Sequence, residues 1–377
     1  MKFLLIYVPN LRFSYKGDWS KRKLNEICQF FKGNGLSKSD LSNEGFPCIL
    51  YGELYTTYKN EVISDIISKT NTTLSNPFLS RNNDLIIPGS GEDPIDIAVA
   101  RAICQNDIIL GGDLNILRPK SNVSAAFLSY QLNGVRRYDI AKKAQGKSIV
   151  HLHNSDLKEV LVSIPTYNEQ LHIVKLLTKV DEMIETQSKI IDSYFSLSKA
   201  ISNTLIGQSK GNTRLRECLN CYSSNTMESV IKQEDLGDYP VYGANGIIKK
   251  INNYEIEYPS IAIVKDGSGV GKMFKLSGKY SILSTLNYLT SKPGYDIDYI
   301  YYALKQKSLK KYVVGSGIPH IYFKDYEQEK IYIPQNELQQ QNITSVLQSI
   351  DEEIGNEIKQ LKNYELLKKY LLKNMFV

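Results

Sequence analysis

Apolar residues recur in alternating steps of four and three along two long stretches of the chain. The first runs through Ile173, Leu177, Val180, Ile184, Gln187, Ile191, Tyr194, Ser198, Ile201 and Leu205. The second repeats it 170 positions later: Ile343, Leu347, Ile350, Ile354, Glu357, Leu361, Tyr364, Lys368, Leu371 and Met375. Such alternation over more than four heptads is the seam of a helix that pairs along its length. Polar residues interrupt both seams at the same two places. Each stretch follows an Ile-Pro, Ile164-Pro165 and Ile333-Pro334, and proline suits a helix entry because its φ is preset and it has no N–H to leave unpaired. The pattern predicts two long helices that pair through these apolar positions.

The duplication reaches beyond the helices, and a repeat of this length decides the architecture. Gly146–Pro165 aligns without a gap with Gly315–Pro334, sharing Gly146/Gly315, Ile149/Ile318, His151/His320 and Asp156/Asp325. Weaker echoes pair 113–120 with 285–292, 127–132 with 299–304, 86–91 with 264–269 and 23–27 with 214–218. The expected organisation is α+β: two similar mixed α/β units over 1–165 and 208–334, separated by helices over 166–207 and 335–377, with a pseudo-two-fold internal repeat. Units at opposite ends of one rod require the helices to run antiparallel. From 173 to 205 a helix spans about 50 Å at ~1.5 Å per residue, or roughly 15 base pairs of duplex at ~3.4 Å each.

Composition changes this picture little. The chain has 377 residues, 23% charged and 42% hydrophobic, as in ordinary globular proteins. No run approaches the roughly 20 apolar residues of a membrane span. The short apolar run after Lys2 lacks the length and cleavage site of a secretory signal, so a cytoplasmic protein with no membrane partner is expected. Five cysteines (Cys28, Cys48, Cys104, Cys218 and Cys221) fit free thiols in a reducing compartment. The Cys218–Cys221 CxxC has no partner motif at zinc spacing, so no metal site is expected. Net charge is +6. Both helical stretches are slightly acidic, so the basic excess lies in the two units, as it would if they meet a polyanion.

A search for catalytic chemistry finds none. "DGSGVGKMF" (266–274) fails the phosphate-loop spacing, with Met273 where a Ser or Thr belongs. No GxGxxG lies between a strand and a helix. "SNPFL" (75–79) is not an amino-methyltransferase motif, and the carboxylates of "DYEQEK" (325–330) are not kept in the repeat partner. No catalytic residue and no cofactor bound by this chain are expected.

The duplicated block from the glycine through His, Asp-Leu or its equivalent, Ile-Pro and the seam resembles the specificity (S) subunits of type I restriction–modification systems. So do the opening "VPNLRFSYKGDWSKRKLNEI" and the pair "YPVYGANGI" and "IAIVKDGSGVGK". One departure is "IPQNELQQQ", a residue longer than "IPTYNEQ" with its Glu displaced. The resemblance implies two target-recognition domains separated by an antiparallel helix pair, and a non-catalytic role in DNA methylation and phage restriction. It implies double-stranded DNA as partner, with two methyltransferase (M) and two restriction (R) subunits. S-adenosylmethionine, ATP and Mg would sit on those partner subunits. Alternatives are a coiled-coil scaffold or a DNA-binding protein without restriction partners. Candidate DNA contacts lie on glycine-rich or basic loops, where backbone can approach phosphate: Ser90, Arg136, Arg137, Lys143, Gln145, Lys147, Ser148 and His151 in the first unit. In the second they are Asn245, Lys265, Ser268, Lys272, Ser316 and His320.

Overall fold

The computed structural model describes residues 8–231 and 237–377; Phe3–Tyr7 of the N-terminal apolar run fall outside the described residues. The chain forms two compact units. One reaches to Ser188 and includes Lys359–Val377; the other is Lys189–Ile358. The helical segments expected as separate spacers are thus divided between the units, because each half-helix buries its seam against the unit beside it.

In the first unit a five-stranded sheet runs in the order Cys28–Lys32, Leu114–Pro119, Asp84–Pro88, Arg101–Ile103, Val62–Ile63. Asp84–Pro88 is buried at every position. Asp84 tolerates this because Arg118 pairs with it at 2.8 Å. The second unit repeats the core with Leu219–Ser223, Leu286–Ser291, Ser260–Val264 and Met273–Leu276. Leu114 lies opposite Pro88, and Leu286 opposite Val264. A short ladder closes each unit, Ser20–Lys23 with Leu161–Ile164 and Thr213–Arg214 with Lys330–Ile331.

The long helices are Tyr167–Ser202, continued by a wider turn over Asn203–Gly207, and Glu337–Asn374. Every seam position of both is buried or half-buried. In the first unit Ile173, Leu177 and Val180 share a cluster with Leu371, Met375 and Phe376. In the second, Ile201, Leu205 and Ile206 pack with Ile343 and Leu347. The early part of one helix therefore meets the late part of the other in both units, and the pair is antiparallel. A docking helix in each unit grips the nearer long helix through a tyrosine: Tyr130 Oη donates to Asp181 Oδ2 at 2.6 Å, and Tyr302 Oη to Asp351 Oδ2 at 2.9 Å. These helices, Ala125–Asn133 and Ile297–Lys305, are N-capped by Ser124 and Asp296.

The polar interruption at Lys368 has a partner set. Its Nζ lies 2.6 Å from Glu61 Oε2 and 2.7 Å from Asp181 Oδ1, with both carboxylates buried. Burial, and then the Glu61 charge, push the Asp181 carboxyl above its ordinary range against the pull of Lys368 and Tyr130. Burial would lower Lys368, but the two carboxylates outweigh it and hold the ammonium above its ordinary value.

The extra residue of the second block is absorbed ahead of the helix. Gln170 Nε2 donates to Pro165 O, and Gln340 Nε2 to Pro334 O, so the helix entry is the same. The displaced glutamate has a physical reason. Glu169 is buried and takes a bidentate ion pair from Arg12, 2.6 and 2.8 Å, plus the Trp19 indole N–H. Glu337 is exposed.

Candidate nucleic-acid interface

The repeated glycine-to-histidine segments form hairpins that meet an adjacent loop in the same way. In the first unit Gln145 lies opposite His151, and His151 opposite Ser90. In the second, Val314 and Asp266 both bridge to His320. Leu152 N–H donates to Gly89 O, and Ile321 N–H to Lys265 O. Ser90 is therefore equivalent to Asp266, and the expected match of 86–91 with 264–269 is out of step by two residues. The sheet register is decisive here, since Pro88 and Val264 occupy the same place against Leu114 and Leu286.

Glycine is required at both hairpin starts. Gly146 has φ +137° and Gly315 φ +96°; a Cβ there would stand 2.0 Å from Ile149 O and 2.4 Å from Ile318 O. Gly146→Ala or Gly315→Ala should cost about 1–3 kcal/mol of local strain and loosen the hairpin. Hydrogen exchange over 145–151 or 314–320 checks this: unchanged protection would show that the hairpin accommodates a Cβ.

The hairpins expose apolar tips, with Ile149 57% and Ile318 69% accessible. Lys147 and Ser148 are exposed on the first tip and Ser316 on the second. His151 stacks nearly parallel to His153, centroids 6.2 Å apart, whereas His320 meets Tyr322 edge-on at 5.0 Å. In the second unit the candidates converge. Lys265, Ser268 and Lys272 share one loop, and Gly267 N–H binds that loop to Pro319 of the hairpin. The turn bearing Asn245 adjoins it, since a Cβ on Gly269 would touch Ala244.

The first unit departs from expectation. Ser90 is buried, and its hydroxyl donates to Asp113 Oδ2 at 3.1 Å, so its side chain is not presented. Arg136 donates to Val377 O and pairs with Asp139. Arg137 makes two bonds to Ile95 O. Both guanidiniums are tied into packing, and the basic run does not act as one face. Lys143 is half-buried. Sequence reasoning also missed Lys307, Ser308 and Lys310, which line a cavity with the Ser268–Lys272 loop; their only signal was a short lysine-rich turn after a helix. Among the described residues no group of three His, Cys, Asp or Glu could hold a metal ion, and no helix is long and apolar enough to cross a membrane.

Comparison with known proteins bears on this geometry. A family model described as "Type I restriction modification DNA specificity domain" matches residues 16–193 and 213–363. The chain is similar to a putative type I specificity subunit of Mycoplasma genitalium, 24% identical over 98% of this chain and 96% of that protein. It is 34% identical to the type I restriction enzyme MjaVIII specificity subunit of Methanocaldococcus jannaschii, a match that spans 41% of this chain and 39% of that relative. In fold it is similar to the crystal structure of a type I restriction–modification S subunit from M. genitalium, with TM-score 0.69 at 20% identity, covering 98% of this chain and 99% of that one.

Proposed function

This chain belongs to the type I restriction–modification DNA specificity family, and from that premise we propose that it reads a bipartite duplex target, one half-site in each recognition unit. The single observation that carries this reading is the repeated histidine hairpin set among different neighbours. Gln145, Ser90 and His153 surround His151, where Val314, Asp266 and Tyr322 surround His320. A shared frame with different side chains suits two readers of one design with two different words, because base-edge recognition is set by the local donors, acceptors and apolar groups. The chain itself is non-catalytic. Two methyltransferase subunits and, for cleavage, two restriction subunits carry the chemistry, with S-adenosylmethionine, ATP and Mg bound there, while the antiparallel helices serve as their scaffold.

Selection of duplexes from a randomised library by the full chain, alone and with its methyltransferase partner, tests the reading. Two short words separated by an unread gap of fixed length are expected. A single contiguous word would refute the two-reader arrangement, and salt-independent binding with no word at all would leave only a protein scaffold.

A further inference from the structure

The second unit holds a cationic cavity. It has a volume of about 400 Å³, and Ser268, Lys272, Lys307, Ser308 and Lys310 line it around a floor of Val270 and Leu309. Among the described residues no carboxylate lines it. None of the three ammonium groups is ion-paired with a described carboxylate; Lys311, next in the chain, is the one taken by Glu329.

Two separate segments make the cavity, and both are held in place. Gly271 has φ +83°, and a Cβ there would touch Leu309, which is itself buried. Gly267 N–H donates to Pro319 O, Val270 N–H to Gly267 O, Gly271 N–H to Val264 O and Lys272 N–H to Gly269 O. The carbonyls of Gly267 and Gly269 are thereby engaged inside the loop, and Ser268, Ser308 and the three lysines give the cavity its polar side chains. Lys272 is further positioned by the Phe274 ring, 5.2 Å from its Nζ. Lys307 also acts on the Glu329 carboxylate, but from beyond ion-pair distance, so three lysines along one cavity favour an anion that joins them. Lysine ammoniums and serine hydroxyls together can donate to a phosphate oxyanion.

Through the corrected register, Ser268 and Gly269 stand where the first unit has Glu92 and Asp93. Asp93 is occupied there in capping the helix Pro94–Ile97, accepting from Ile95 N–H at 2.6 Å. The same place in the repeat is therefore acidic in one unit and uncharged in the other, where it adjoins Lys272.

We infer that Ser268, Lys272, Lys307, Ser308 and Lys310 form a backbone-phosphate clamp, by which the second unit anchors duplex DNA beside its reading hairpin. The inference rests on the specificity reading and deepens it. It assigns Ser268 and Lys272 to positioning and not to base reading, and adds three residues to the interface.

The test measures affinity of the full chain for target and random duplexes across 50–200 mM salt, and separately for inorganic tripolyphosphate. It compares the wild type, Lys307→Ala/Lys310→Ala and Lys210→Ala, an exposed lysine outside the cavity. The double variant should lose about one unit or more of the salt slope, ~0.9 per phosphate contact, and bind target and random duplex more weakly by the same factor. Lys210→Ala should keep the wild-type slope. Tripolyphosphate should compete only weakly. A double variant with wild-type slope and affinity overturns the clamp. An altered preference between target and random duplex also overturns it, by making these residues readers. Tight tripolyphosphate binding that the variant loses while duplex binding stays intact assigns the cavity to a free phosphate compound instead. If the wild type binds no duplex yet holds tripolyphosphate through these lysines, the specificity reading fails while the cavity stands as an anion site. Thermal unfolding of each variant separates loss of the site from loss of fold.

Discussion

Lys368→Met is expected to destabilise the first unit by about 3–5 kcal/mol, because it removes the cation ion-paired with two buried carboxylates and leaves only the more distant Arg101 guanidinium acting on them. Glu61 comes from a loop of the recognition unit, Asp181 from the first long helix and Lys368 from the second. The ammonium therefore ties together three parts of the chain that no local pattern joins. The deficit should depend on pH with a definite sign. Without the pull of Lys368, the Asp181 carboxyl, already held above its ordinary range by burial and the Glu61 charge, rises further, so the folded variant binds a proton that the unfolded state releases at neutral pH. Stability of the variant relative to wild type should thus recover as pH falls from about 8 towards 5. Urea unfolding at several pH values measures this. A deficit that is small at pH 8, or that grows on acidification, would show that the cluster is relaxed by water or by rearrangement. The double change Lys368→Met/Asp181→Asn should be less damaging than the single one, since it removes one of the stranded charges.

Exchange of the first recognition unit, residues 1–165, for that of another family member should replace one half of the DNA target and leave the other half untouched. On the proposed reading base contacts are local to each hairpin cluster, and each base pair read contributes about 1–3 kcal/mol. Losing two or three of them weakens binding to the old half-site by roughly 30-fold or more. The structure adds a condition for the exchange. The incoming unit must supply equivalents of Arg12 and Trp19 for Glu169, of Tyr130 for Asp181 and of Glu61 for Lys368. A chimera lacking Glu61 would fail through stability and not through recognition, and its unfolding curve would show which. Methylation patterns of cells carrying each chimera give the outcome. A change in both half-sites would remove the case for independent readers.

Much of the architecture is written in local pattern. The 4-3 seams specify two paired helices because burying an apolar stripe is a property of spacing along one segment. The doubled Gly…His…Ile-Pro block specifies two hairpins because a left-handed φ with a carbonyl against the missing Cβ admits only glycine, as at Gly146 and Gly315. The polar interruptions at Gln187/Glu357 and Ser198/Lys368 are visible too, but not their purpose. Lys368 is explained by Glu61, 307 positions away, and no periodicity encodes that distance.

The candidate interface was legible as a set of loops and not as a set of contacts. Gly-rich and basic stretches identify segments that can approach a phosphate. Which side chains remain available depends on what else the fold offers them. Ser90 is taken by Asp113, Arg136 by the chain end, and Arg137 by Ile95. The equivalence of Ser90 with Asp266, and so the loss of the acidic Glu92-Asp93 pair at Ser268-Gly269, came from strand register, because a weak match along a short glycine-rich loop does not fix the pairing that the sheet fixes. Sequence by itself determined two repeated units, the long helices and the glycine-pinned hairpins, all products of spacing and backbone sterics. Only the tertiary structure decided which charges meet. Lys272 and Lys310 come to line one cavity because a turn and a loop distant in sequence pack on the same buried Leu309, and electrostatic pairing follows distance in space, not separation along the chain.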